Sequence, residues 1–334
     1  MGPVSGGEHR VAVLDAVRML RRGGLVVFPT ETVYGLGARV FDPEAIRKVF
    51  AAKGRPVDNP LIVHLAGRDQ LNGVVVNCPE VAHRLMRAFW PGPLTLVLPR
   101  APGVPSELSA GLDTVAVRMP DHPVALALIR ELGEPIAAPS ANRSGRPSPT
   151  RVEHAVREVG DAVDLVLDGG PCRIGLESTV LDLTSDPPRV LRPGAVTLRM
   201  LRAVVGRVLP FAGPADAEHV RSPGLRHRHY APDLRVVLVS PEDWPQAVAR
   251  WSRPGRRLGL IGRTAAVPAS GRPVFERSFD TASAFARNLF AAFHDAEAAG
   301  VQVLLVEALP REEGLGAAIM DRLERAATAH VEGG

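Results

Sequence analysis

Residues 25–65 read LVVFPTETVYGLGARVFDPEAIRKVFAAKGRPVDNPLIVHL. The apolar run Leu25-Val26-Val27-Phe28 predicts a buried strand that Pro29 stops, delivering Thr30, Glu31 and Thr32 into a turn rich in glycine, Gly35 and Gly37. A helix should follow, with Asp42 as its N-cap, Pro43 at its first position and Ile46, Val49 and Phe50 on one face. It ends by projecting Lys53 and Arg55 from a Gly-Arg-Pro turn, and Pro60 to Leu65 reads as a second buried strand. A strand–helix–strand unit of this kind brings hydroxyls and two cations into one crevice. Such a crevice suits an anionic, phosphate-bearing ligand, because Arg grips oxygens with a planar fork and Lys acts as a compact point charge. The chain has only two lysines, Lys48 and Lys53, in an Arg-rich background, which sets Lys53 apart from general basic decoration. The competing reading of Lys53 is a solvated cation complementing the helix macrodipole.

Outward from this unit, Val13, Leu14, Val17 and Leu20 recur at helical spacing before Gly23-Gly24. Downstream the pattern predicts a helix over Pro79 to Trp90, strands at Leu94–Leu98 and Thr114–Met119, a helix from His122 to Leu132 and a short strand from Pro135 running into a Ser- and Asn-rich loop. That loop gathers Ser140, Asn142, Ser144 and Ser148; a turn whose side chains cap their own backbone is the alternative reading. Further strands at 165–167, 178–183 and 190–192 follow one another without helices between them, so the sheet should be mixed. After a helix over 197–206 the chain becomes rich in Pro, Gly and His, and then restarts as alternating strands and helices. The expected division is a first α/β domain over 8–206, a linker over 207–233 and a smaller, doubly wound α/β domain over 234–334. Within the linker, Arg226, Arg228, His229 and Tyr230 are an unusual load of donors for a spacer and read as a lid over the first domain, with a passive tether as the alternative.

With 334 residues, 46% apolar and 23% charged, the chain has the composition of a folded protein large enough for two cores. Its 4% aromatic content argues against a stacked-ring platform for single-stranded nucleic acid, and a net charge of +4 permits anionic ligands. Cys78 and Cys172 stand alone, without a zinc-site partner, and no signal-peptide or membrane-spanning run occurs, so a reduced, cytoplasmic protein is expected. Neither lysine follows a glycine, which excludes a P-loop; Gly35-Leu36-Gly37 lacks a third glycine for a dinucleotide fingerprint; and GxSxG and HExxH are absent. Phosphate chemistry here would need another architecture.

FPTETVYGLGA, KGRPVDNPLIVHL, WPGPLTLVL, AGLDTVAVRMPDHP, PIAAPSANRSGRPSPT, DGG, ESTVLDLT and VLRPG occur in an order that resembles the YrdC-like fold, and SPGLRHRHYAP followed by an α/β domain resembles the long two-domain form of the threonylcarbamoyl-AMP synthase family. The resemblance implies a YrdC-like twisted mixed sheet with helices, a Rossmann-like C-terminal domain, and formation of threonylcarbamoyl-adenylate and pyrophosphate from L-threonine, bicarbonate and ATP. It further implies Mg²⁺ accompanying ATP, and transfer of the product to tRNA threonylcarbamoyl transferase machinery for N6-threonylcarbamoylation of adenosine, without direct tRNA binding. By motif match, Thr30, Ile62, Arg118, Ala138 and Ser178 would hold threonine. Lys53, Val57, Asn59, Thr114, Ser140, Asn142, Ser148, Arg192 and Tyr230 would surround the nucleotide, with Lys53 and Arg55 stabilising charge during the reaction. An RNA-binding module and a carbamoyl transferase are the competing readings; the former would lose affinity steeply with salt and the latter would require carbamoyl phosphate.

Overall fold

The computed structural model describes residues 6–213, 229–263, 273–311 and 314–331. The chain falls into two compact units, the first comprising residues 1–144, 149–173 and 177–226, the second residues 145–148, 174–176 and 227–334. Ser222 to Arg228 of the expected linker lie outside the described residues.

In chain order the first unit contains α1 (Gly6–Arg21), β1 (Val26–Phe28), β2 (Gly35–Arg39), α2 (Pro43–Lys53), β3 (Ile62–His64), α3 (Glu80–Phe89), β4 (Leu94–Pro99), α4 (Ser106–Ser109), β5 (Thr114–Arg118), α5 (Pro123–Leu132), β6 (Ile136–Ala138), α6 (Val152–Val159), β7 (Leu165–Val166), β8 (Thr179–Asp182), β9 (Arg189–Arg192) and α7 (Leu198–Val205). Helix α2 begins and ends as its sequence dictates. The Asp42 carboxylate accepts from the Ala45 backbone N–H at 3.0 Å, Pro43 occupies the first turn, and Gly54 closes the helix in the left-handed conformation at φ 58°. One departure stands out in the same stretch. Gly35-Leu36-Gly37, expected as a turn, is the start of strand β2, which pairs antiparallel with β1 through Val26–Gly37 and Phe28–Gly35. Side chains are missing there because Phe28 fills the space: a Cβ on Gly37 would lie 2.9 Å from its ring.

Nine strands form one mixed sheet in the order β7-β1-β2-β6-β3-β5-β4-β8-β9. Strands β1 and β3 are therefore not neighbours, and the opening strand–helix–strand unit spans two intervening strands. Alternation along each strand separates two faces. One carries Val27, Leu36, Val63, Leu96, Val115, Val117 and Leu181 into the main core, covered by Ile46 and Val49 of α2, Leu85 of α3 and Leu201 of α7. The other face is covered at its β1–β6 end by α1 and α5, through Val13, Val17, Leu20, Leu128 and Ile129 packed on Phe28, Ile136 and Ala138. Towards β3, β5, β4 and β8 that face carries a small apolar cluster, Ile62, Val97, Ala116 and Val180, whose members all come from strands.

The first unit runs past residue 206, where its boundary was expected. Val208 is buried in the main core, and Leu209 exchanges backbone hydrogen bonds with Pro188 and Val190 beside β9. The second unit contains β10 (Arg235–Val239), α8 (Trp244–Trp251), β11 (Leu258–Gly262), β12 (Phe275–Ser278), α9 (Ala282–Ala298), β13 (Val303–Glu307), α10 (Gly316–Ala326) and β14 (Ala329–Val331). Its five strands are all parallel, in the order β12-β11-β13-β10-β14. Near-continuous apolar runs such as Val236-Val237-Leu238-Val239 are what a parallel sheet covered on both faces requires.

Candidate active site

The sheet face that carries Ile62, Val97, Ala116 and Val180 is where polar residues collect. Period-two alternation places His64 beside Ile62 on β3, Thr114 and Arg118 beside Ala116 on β5, Thr95 beside Val97 on β4, and Ser178 in line with Val180 at the entry to β8. Sequence reading had identified Ile62, Thr114, Arg118 and Ser178 but not His64 or Thr95. The signal available was a single polar side chain interrupting an apolar strand, in PLIVHL and in LTLVL.

Arg118, at the end of β5, is almost wholly buried and is held from the loop after β1. Its Nη2 donates to Glu31 Oε2 at 2.7 Å and its Nη1 donates to Thr32 Oγ1 at 2.9 Å. Thr30 shapes that loop: its hydroxyl donates to the Val33 carbonyl at 2.6 Å and accepts the Thr32 and Val33 N–H groups at 3.2 Å. Among the described residues Arg118 Nε and Glu31 Oε1 have no hydrogen-bond partner, leaving one buried donor and one buried acceptor on the ion pair. Two neighbours respond to this environment. Burial, with the Arg118 charge adding to it, lowers His64 to about 3, so its imidazole is neutral and accepts no second charge beside Arg118. Burial, reinforced by the Glu31 carboxylate, pushes the Cys172 thiol up to about 12.

A second group surrounds Lys53, the last residue of α2. Its side chain is buried, and Nζ donates to the Ser140 carbonyl at 2.5 Å and to the Asn142 carbonyl in the loop after β6. Burial first, then the neighbouring Arg55 charge, lower its pKa well below the ordinary lysine range. Arg55 folds back on its own loop, donating through Nε to the Asn59 carbonyl at 3.0 Å and through Nη2 to the Pro60 carbonyl at 2.9 Å. Both cations thus stiffen the loops that were expected to carry nucleotide-binding groups. Val57 stands exposed on the first of these loops, Asn59 is buried, and the Thr114 hydroxyl is buried with no partner among the described residues.

Ser178 and Arg192 form a third group. The Arg192 guanidinium donates through Nε to the Ser178 carbonyl at 3.1 Å and through Nη2 to the Ser178 hydroxyl at 3.2 Å, while Thr95 Oγ1 lies 2.7 Å from that hydroxyl. Ala138, at the C-terminal end of β6, pairs with Ile62 in the sheet. Ser148 and Tyr230, also expected around the nucleotide, belong to the second unit. Tyr230 is buried there at φ 65°, its ring 5.3 Å from Phe290 with the Arg322 guanidinium 5.5 Å over it. Of the basic linker residues, Arg226 and Arg228 are outside the described residues.

Fold and site together define an α/β protein in which buried cations and hydroxyls line one sheet face, an arrangement for binding small anionic molecules. Residues 18–194 match the Sua5, YciO and YrdC family model described as "Telomere recombination", and residues 196–328 match that of the "Threonylcarbamoyl-AMP synthase, C-terminal domain". The chain is 45% identical over 322 residues to the threonylcarbamoyl-AMP synthase of Pyrococcus abyssi, covering 93% of this chain and 92% of that one. It is 44% identical over 331 residues to the Bacillus subtilis protein of the same name, covering 96% and 94%. The crystal structure of P. abyssi Sua5 complexed with L-threonine superposes with a TM-score of 0.91 at 41% identity, covering 99% of this chain and 98% of that one. The chain belongs to the threonylcarbamoyl-AMP synthase family, whose members are nucleotidyltransferase-type enzymes, and has its two-domain Sua5 form.

Proposed function

We propose that this protein makes L-threonylcarbamoyl-adenylate and pyrophosphate from L-threonine, bicarbonate and ATP, and that the product feeds N6-threonylcarbamoylation of tRNA adenosine by a separate transferase. The observation that carries the reading is the sheet face where Arg118, Ser178 and Arg192 border the apolar patch of Ile62, Val97, Ala116 and Val180. An amino acid with a short, half-polar side chain needs that mixture: a cation for the carboxylate, a hydroxyl for its polar atoms and a little apolar surface for its methyl. The threonine-bound P. abyssi relative supports the same assignment.

In this reading the threonine amine attacks the carbon of bicarbonate, water leaves, and a carbamate oxygen then displaces pyrophosphate at the α-phosphorus of ATP. Positioning and charge neutralisation dominate such transfers. Arg118, fixed by Glu31 and Thr32, meets the threonine carboxylate without having to reorganise. Lys53, whose Nζ is held by the Ser140 and Asn142 carbonyls, is the residue we assign to the reacting phosphate and carboxyl oxygens. Mg²⁺ enters as part of the MgATP substrate, held mainly by phosphate oxygens and water. No helix among the described residues is long and apolar enough to cross a membrane, and we place the enzyme in the cytoplasm.

The deciding experiment is mass detection of threonylcarbamoyl-adenylate from the purified chain with threonine, bicarbonate and MgATP. Its absence, with turnover of carbamoyl phosphate instead, would replace the synthase reading with a carbamoyl transferase.

A further inference from the structure

Thr95 is a fully buried hydroxyl within an apolar strand, and among the described residues its hydroxyl has one hydrogen-bond partner, the Ser178 hydroxyl at 2.7 Å. Each hydroxyl has one proton and two acceptor sites. Arg192 Nη2 can only donate, so it takes one acceptor site of Ser178. If Ser178 gave its proton to Thr95, the Thr95 proton would be left buried with no acceptor among the described residues. If Thr95 donates instead, both acceptor sites of Ser178 are filled and the leftover proton sits on Ser178. A ligand oxygen beside Ser178 satisfies that proton, and so selects the second arrangement.

We propose that Thr95 is a positioning residue for amino-acid binding, which with Arg192 fixes the Ser178 hydroxyl as a donor toward an oxygen of L-threonine. The inference rests on the placement of threonine at Ser178. It gives Thr95 a role distinct from packing, since a valine of the same shape would fill the strand as well.

The test is calorimetric titration of the full chain with L-threonine, using Thr95→Val, Thr95→Ser, Ser178→Ala and the double variant Thr95→Val/Ser178→Ala. Thr95→Val should weaken binding about fivefold, the worth of one net hydrogen bond, and Thr95→Ser should restore it. In the Ser178→Ala background Thr95→Val should add nothing, because the residue it acts through is gone. Wild-type affinity for Thr95→Val, or the same fivefold loss in the Ser178→Ala background, overturns the role assigned to Thr95 while leaving the synthase reading intact. Wild-type affinity for Ser178→Ala refutes the placement of threonine and the inference with it. Should Thr95→Val fail to fold, Thr95→Ala in the two backgrounds makes the same comparison.

Discussion

Acid should loosen the first unit through one imidazole. His64 is buried against Phe28, their rings 5.8 Å apart and nearly perpendicular, with Nδ1 3.1 Å from the Ile62 carbonyl. Its folded value of about 3 lies below the ordinary 6.5. On acidification the unfolded chain therefore binds the proton first, so the contribution of His64 is complete above pH 6.5 and is lost as the pH falls toward 3. The gap of about 3.5 units corresponds to about 5 kcal/mol in full, and to about 2 kcal/mol between pH 7 and pH 5. His154, lowered to about 4 by burial and then by Arg151 and Arg157, adds its own acid sensitivity, so a bare pH profile would not isolate His64. A difference experiment does. His64→Leu removes the titrating group, and stabilities of wild type and variant are compared at pH 7 and pH 5 by urea-dependent hydrogen exchange in peptides covering β3 and β5. The wild type should exceed the variant by about 2 kcal/mol less at pH 5 than at pH 7. An unchanged difference would show that the protonated ring finds water or a carboxylate, and the reasoning from burial would fail.

Lys53→Ala should lower the rate of adenylate formation by about 10² to 10³; full activity would leave the residue only its hydrogen bonds to the Ser140 and Asn142 carbonyls. Glu31→Ala strands the Arg118 guanidinium in the interior and should cost about 3–5 kcal/mol of stability by denaturant unfolding, whereas a near-neutral effect would mean that water reaches the site. Serine, lacking one methyl contact, should bind about 1 kcal/mol more weakly than threonine by calorimetry. Valine should be rejected more strongly than serine, because it leaves a site hydroxyl unpaired; equal binding of valine and threonine would contradict the placement of Ser178.

The local grammar of the chain was complete in the sequence wherever one side chain settles a conformation. Asp42, Pro43 and Gly54 delimit α2 by capping and backbone conformation. Apolar alternation disclosed β5 with Arg118 at its end, and the alternation of strands with helices disclosed the doubly wound second domain. The tertiary structure decided what depends on neighbours distant in sequence. Glycines 35 and 37 look like a turn until Phe28 is seen to occupy the space their side chains would need. The insertion of β2 and β6 between β1 and β3 is a matter of strand order, which local patterning does not encode. Arg55 reads as a free cation in sequence, yet its guanidinium is bonded to carbonyls four and five residues ahead. Tyr230 reads as linker, yet its ring is buried between Phe290 and Arg322 of the second unit. Most of all, the site face is assembled by strand order, which sets Ile62, Ala116, Val97 and Val180 of β3, β5, β4 and β8 side by side, and no single stretch of sequence states which strands will be neighbours.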